Sequence, residues 1–153
     1  MQFDYLLQRS RQFYHKNQTP PKFVFGIDPG ETIGYCVFKE GNFLLADQTD
    51  NLNYLLDLLV VWKPDVVVYE DYKIYPNKLK VHTFSEVPTI ETIGVIKHHC
   101  EQQGFKVMKM LASTAKGFCT PDKLKEWGFH IKGKPHACDS IRLVCYYLLF
   151  GKE

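Results

Sequence analysis

The stretch FVFGIDPGETIGYCVF, residues 23 to 38, sets an aspartate, a proline and a glycine between two runs of β-forming residues. Residues 22–28 and 33–39 are predicted strands, and Asp28 is the last residue of the first of them. Asp-Pro-Gly is common turn chemistry, so Asp28 is either the opening residue of a turn or a functional carboxylate. The choice depends on what the rest of the chain places beside it.

Strand and helix patterns alternate along the remaining chain. Residues 40–42, Glu-Gly-Asn, predict a hairpin turn into a third strand. A helical apolar pattern over 51–63 precedes DVVVYE, a short buried strand that ends at Glu70. Thr89 is expected to cap the next helix, and the last helix is predicted over 134–150. The order β-β-β-α-β-α-β-α predicts an α/β fold, with a mixed five-stranded sheet and helices on both faces.

Size and composition predict a single globular unit. The chain has 153 residues, of which 45% are hydrophobic, and this suffices for one core. Residues 1–22 form a basic N-terminal extension of net charge +3, and residues 23–153 form the domain. The extension is interpreted either as an arm that contacts phosphate or as a helix that packs on the domain.

The location of the protein is predicted from what the sequence lacks. No apolar stretch is long enough to cross a bilayer, and the N-terminus has no signal-peptide pattern. The five cysteines are scattered and form no C-x-x-C pair, which favours free thiols in a reducing compartment. We therefore expect a soluble cytoplasmic protein without a membrane partner.

Acidic residues recur at three places that the predicted sheet can bring together. Glu70 is the last residue of a buried strand, and His136 and Asp139 lie three residues apart on one face of the last helix. If the first and fourth strands are neighbours, Asp28 and Glu70 reach the same edge. Three carboxylates in one place require a cation, and Mg²⁺ or Mn²⁺ is expected. Such a cluster suits two-metal phosphodiester hydrolysis.

Three motifs in sequence resemble those of the RuvC-like Holliday junction resolvases, in the form seen in small phage-type members: GIDPGETIGYCVF, VVVYEDYKIYPNK and HACDSIRLVCYYL. The resemblance spans residues 23–149 and implies an RNase H-like fold. A phage-encoded protein acting in a host cell is an alternative source.

The resemblance also implies roles for the site residues. Asp28, Glu70 and Asp139 would hold two Mg²⁺ ions, for which Mn²⁺ substitutes. His136 would be a further ligand or a proton-transfer group, and Asp71 is a reserve ligand. The glycines of the hairpin, Gly30 and Gly34, would leave room for metal and phosphate.

The implied activity is resolution of four-way DNA junctions by paired symmetric nicks from a homodimer. The DNA contacts would come from basic and aromatic side chains, namely Tyr72, Lys73, Tyr75, Lys78, Lys80 and Lys116. The helix that contains IETIGVIKHHC is interpreted either as the dimer surface or as core packing.

Other functions remain open at this point. The same metal site would serve a less selective endonuclease that acts on flaps and other branched DNA. A non-catalytic module that binds branched DNA would keep the fold. GIDPGETIG also resembles a phosphate loop of actin-like and sugar-kinase ATPases, although those proteins need two such lobes and this chain has room for one.

Overall fold

The computed structural model describes residues 1–13, 21–71 and 87–151. Within these ranges the chain forms the strands β1 (Phe23–Asp28), β2 (Ile33–Lys39), β3 (Asn42–Thr49), β4 (Val66–Asp71) and β5 (Lys106–Leu111). The helices are α1 (Phe3–Phe13), α2 (Leu52–Trp62), α3 (Val87–Gln103), α4 (Ala112–Phe118), α5 (Pro121–Trp127) and α6 (Pro135–Phe150). Among the described residues no helix combines the length and apolar character needed to span a membrane.

The five strands form one mixed sheet in the order β3-β2-β1-β4-β5. β1, β2 and β3 are antiparallel neighbours, whereas β4 lies parallel to both β1 and β5. The condition under which Asp28 and Glu70 were expected to meet, that the first and fourth strands are neighbours, is therefore fulfilled. Ile27 pairs with Tyr69, so the next residues of the two strands, Asp28 and Glu70, reach the same edge of the sheet.

Helices cover both faces of the sheet, as predicted. Because side chains alternate along a strand, Val66 and Val68 face one side of the sheet while Val67 and Tyr69 face the other. The first side packs against α1, α4, α5 and α6. The second packs against α2 and α3. Glu70 continues the row on the α6 side, and Asp28 does the same on β1.

Local sequence explains where the elements turn and begin. Glu40 and Gly41 both have positive φ angles of 50° and 91°, the conformation that a tight hairpin turn requires. Asn51 caps α2 by accepting a hydrogen bond from the Tyr54 backbone N–H. The expected cap at Thr89 is wrong, because α3 begins at Val87 and already includes it. Pro88, in the sequence between them, suits the first turn of a helix.

The N-terminal helix α1 is part of the main core. Phe3 and Leu7 are buried, and the Phe3 ring lies 5.1 Å from that of Trp127 on α5. The Ser10 hydroxyl donates a hydrogen bond to the Leu149 carbonyl oxygen near the end of α6. These contacts match the packing interpretation of the segment.

Candidate active site

The candidate site lies at the edge of the sheet where β1 and β4 end beneath the start of α6. Asp28, the last residue of β1, is only 6% exposed. Glu70 stands next to it on β4, and α6 contributes His136 from its first turn and Asp139 one turn later. The four residues come from three elements whose packing is fixed by the core, so their side chains are held together.

Three of these side chains form a compact group of potential metal ligands. His136 Nδ1 lies 3.1 Å from Asp28 Oδ2. One ligand atom from each of Asp28, His136 and Asp139 lies within 4.8 Å of the others. Glu70 is outside this group but adjoins it, since its charge and that of Asp28 influence one another.

Glycine at position 34 lets α6 reach the acids. Gly34 pairs with Asp28 across β1 and β2, and a Cβ added to it would overlap the backbone carbonyl group of His136. The space beside Gly34 is therefore occupied by the start of α6, and not by metal and phosphate as expected. A Cβ on Gly30 would meet only ordinary contacts, at 3.4 Å from the Thr32 carbonyl oxygen and 3.9 Å from Thr89 Oγ1.

The carboxyl groups have raised pKa values because they are buried near one another. Burial, and then the negative charge of Asp139, raises the pKa of Asp28 to about 6. Burial, and then the charge of Asp28, raises the pKa of Glu70 to about 7. Both side chains are therefore held in a place where their anionic forms are disfavoured unless a cation is present.

Two basic side chains supply positive charge to the cluster. Lys116 Nζ, from α4, lies 3.3 Å from Asp139 Oδ2 and 4.0 Å from Glu70 Oε2. Burial lowers the pKa of Lys116, but the nearby acids, Glu70 first, outweigh this effect and the pKa is raised. Arg142 Nη1 donates to Asp139 Oδ1 at 3.0 Å. Sequence reasoning missed this residue, although its i,i+3 spacing from Asp139 on a helix was a usable signal.

The donor set fits a hard divalent cation. Carboxylate oxygens dominate it, and they are the ligands that Mg²⁺ and Mn²⁺ prefer. Glu70 Oε2 is buried and has no hydrogen-bond partner within the described ranges. A buried carboxylate oxygen that accepts no hydrogen bond is costly, and a bound cation would satisfy it.

Asp71 belongs to the other face of the sheet. It follows Glu70 on β4, so the alternation of side chains puts it on the side of Tyr69, with α2 and α3. Its negative charge raises the pKa of Tyr69, after the larger effect of burial. The register therefore turns Glu70, and not the reserve ligand Asp71, toward Asp28 and α6.

The cluster opens into a pocket of about 400 Å³. The hairpin loop 29–32, Thr89 of α3 and Lys116 form its walls, with Asp28, His136 and Asp139 on the same surface.

The predicted DNA contacts Tyr72, Lys73, Tyr75, Lys78 and Lys80 lie outside the described residues. Lys116, the sixth, is ion-paired with the acids.

Comparisons with known proteins identify the fold. No protein-family model and no curated protein matches the sequence. T. thermophilus RuvC in complex with Holliday junction substrate aligns with a TM-score of 0.66 at 14% identity, covering 83% of this chain and 93% of that one. The yeast mitochondrial Holliday junction resolvase Ydc2 gives 0.58 at 13% identity, covering 95% and 84%. The fowlpox virus resolvase with Holliday junction DNA gives 0.56 at 16%, covering 82% and 96%.

At identities of 13 to 16%, the TM-scores of 0.56 to 0.66 show a shared fold, and a shared fold does not by itself determine the chemistry. The mixed five-stranded sheet with helices on both faces, and the last helix across the site, agree with the predictions made from the sequence. The chain has the RuvC-like, RNase H-like fold of Holliday junction resolvases.

Proposed function

We propose that this protein is a metal-dependent, structure-selective DNA endonuclease that resolves four-way junctions by paired symmetric nicks. The observation that carries the proposal is the convergence of Asp28, Glu70, His136 and Asp139 at one sheet edge of a resolvase fold. Two proteins that share the fold, RuvC of T. thermophilus and the fowlpox virus resolvase, have structures with Holliday junction DNA.

The three acids would hold Mg²⁺, two ions per site, with Mn²⁺ as a substitute and His136 as a further ligand or proton-transfer group. When bound, the ions would supply Lewis-acid activation of the phosphodiester and lower the pKa of a water molecule. The raised pKa values of Asp28 and Glu70 support this assignment, because the acids need a cation in order to ionise together.

Proton transfer in this mechanism would be carried out by His136, which Asp28 holds in place. His136 is half-exposed in the pocket wall, and its Nδ1 is engaged by Asp28. This pairing leaves Nε2 as the ring nitrogen that is able to accept a proton from the attacking water. Attack on phosphorus breaks the bond to the 3′ oxygen and yields 5′-phosphate and 3′-hydroxyl ends.

Paired nicks require two sites, and we propose a homodimer through α3. Ile90 and Val95 are each about two-fifths exposed on this helix, at 40% and 42%. Gly94 between them has no atom within 4 Å of an added Cβ position. Gly94, which has no side chain, leaves room between these two apolar residues for the approach of a second helix.

Cleavage of synthetic DNA tests the proposal. The four-way junction should be cut in the presence of Mg²⁺ or Mn²⁺, and linear duplex, flap and fork much less. Equal cutting of flaps and forks would favour the less selective branched-DNA endonuclease. Tight junction binding without cleavage under any metal would favour the non-catalytic module, and tight ATP binding without cleavage would favour the ATPase-type domain.

Asp28→Asn is the informative variant in that assay. It removes a metal ligand while the DNA-binding surface is kept, so cleavage should fall by about 100-fold or more with junction binding retained. Asp57→Asn, at an exposed position on α2, is the matched control and should cut normally. Normal cleavage by the Asp28→Asn variant would refute the assigned role.

A further inference from the structure

The carboxylate of Asp139 contacts two basic side chains, Arg142 of α6 and Lys116 of α4, with one oxygen each. Its Oδ1 accepts a hydrogen bond from Arg142, and its Oδ2 lies 3.3 Å from Lys116 Nζ. An Mg²⁺ ion bound to Oδ2 at about 2 Å would stand within a few ångström of the lysine ammonium group. Two positive charges so close repel strongly, so the lysine and the ion compete for the same oxygen.

The two pairs differ in how easily they open. The Arg142 side chain is 13% exposed and sits one turn from Asp139 on α6, so the pair moves with the helix. The Lys116 side chain is 40% exposed, comes from α4 and ends in a flexible stem. The Lys116 side chain can therefore move toward solvent, whereas the less exposed Arg142 side chain stays beside Asp139.

Lys116 also contacts the acid on β4. Its Nζ lies 4.0 Å from Glu70 Oε2, the buried oxygen for which the described residues provide no hydrogen bond. The ammonium group is thus within 4 Å of two carboxylates from α6 and β4 at once. This is the place that a cation shared by Asp139 and Glu70 would take.

We propose that Lys116 is an exchangeable counter-ion of the metal site. Its ammonium group neutralises Asp139 and Glu70 in the metal-free protein and leaves them when a divalent ion binds. Arg142 stays on Oδ1 as a positioning residue, so Oδ2 is the oxygen offered to the metal. The inference rests on the proposed function, because it assigns the metal to the same acids. The released ammonium group, in the pocket wall, then becomes available to a DNA phosphate.

Calorimetric titration with Mg²⁺ in the absence of DNA tests the exchange. Lys116→Met should bind Mg²⁺ about tenfold more tightly than wild type, since a charge within about 4–6 Å changes a carboxylate's affinity for a proton by a similar factor or more. Lys116→Arg keeps the positive charge and should bind no more tightly. Lys125→Met removes an exposed charge on α5 and should leave the affinity unchanged. Thermal unfolding verifies that each variant is folded.

Chemical modification gives a second, direct measurement. Lys116 of the wild-type protein should react several-fold faster with an amine-directed reagent once Mg²⁺ is added, as read by mass spectrometry, while Lys125 reacts at an unchanged rate. Unchanged or weaker Mg²⁺ binding by Lys116→Met, or slower modification of Lys116 with Mg²⁺, would overturn the exchange. If the wild type itself bound no Mg²⁺ and cut no junction, the proposed function would fail as well.

Discussion

At the scale of single residues, Asp28 and Glu70 are placed where ionisation is unfavourable for the folded protein. Their pKa values, about 6 and about 7, lie above the ordinary values of 3.8 and 4.5. The folded state therefore holds these protons more tightly than the unfolded state does. A group with a raised acid pKa stabilises the fold while it is protonated and loses that contribution as the pH rises.

The metal-free protein should therefore lose stability between about pH 4, near the unfolded pKa values, and about pH 7, near that of Glu70. A tenfold difference in proton affinity between the two states corresponds to about 1.4 kcal/mol, and solvent screens part of this free energy. Asp28→Asn should flatten the profile and stabilise the metal-free protein at neutral pH. Urea unfolding in a chelator across this pH range measures the effect. Asp57→Asn should keep the wild-type slope, and an Asp28→Asn profile as steep as that would contradict the assignment.

At the scale of elements, α6 connects the core to the site. Its buried residues pack on β1 and β2, and its first two turns carry His136 and Asp139. The approach depends on the missing side chain at Gly34, which faces the His136 backbone. A larger residue at position 34 would thus displace α6, and with it His136 and Asp139.

Gly34→Ala should push the start of α6 away from β2. Overpacking of this kind typically lowers the free energy of unfolding by about 1–3 kcal/mol. The cleavage rate should fall by more than this loss of stability explains, because His136 moves away from Asp28. Gly30→Ala is the matched control for stability, since its Cβ would have only ordinary neighbours. Guanidinium unfolding and junction cleavage, compared for the two variants, test this. Equal stability and equal cleavage for both variants would mean that α6 accommodates the added methyl group without moving.

Several elements could be predicted from the sequence and others could not. The strands that carry Asp28 and Glu70 have strong β patterns. Once these two strands are neighbours in the sheet, the two acids lie together. The helix α4 was not predicted, because ASTAKGF is short and mixes Ala and Lys with weaker helix formers. It forms because Ala115 is buried in the core, which is a tertiary effect. The hydrogen bond from Arg142 to Asp139 was missed although the i,i+3 spacing allows it, because that spacing alone does not fix the side-chain conformation.

At the scale of the whole molecule, the described part of the chain unites an N-terminal helix, a core on both faces of the sheet, and the helix α3, which is buried on one side and exposed on the other. The helix α1 contributes Phe3 and Leu7 to the core and carries Arg9 and Arg11 away from it. The helix α3 buries Ile93 and Ile96 while it exposes other apolar residues. Each helix therefore has a packing side and an outer side that can be tested separately.

For α1, the two sides should separate by substitution. Phe3→Ala should cost about 3–5 kcal/mol of stability, since it empties a core position that is 3% exposed. The double change Arg9→Gln and Arg11→Gln should leave stability nearly unchanged. If the outer side contacts phosphate, it should also weaken junction binding and reduce its salt dependence. Binding that is insensitive to both charges would restrict α1 to packing.

For α3, charge on the outer side should separate the proposed dimer. Ile90→Glu with Val95→Glu should shift the protein from dimer to monomer in analytical ultracentrifugation, because buried carboxylates without partners are costly. Val61→Glu, at a 76% exposed position of α2, is the control and should stay dimeric. If wild type is itself a monomer at all concentrations, paired nicking needs another explanation.

The position of α6 along the chain has a consequence for biosynthesis. β1 and β4, which carry Asp28 and Glu70, are translated well before the helix that supplies His136 and Asp139. A ribosome-bound chain that has emerged only as far as β5 thus holds half of the ligands and lacks the helix that covers that face of the sheet. On the proposed function, the ability to cut DNA would arise only after α6 has left the ribosome and docked, so incomplete translation products would be harmless to the genome.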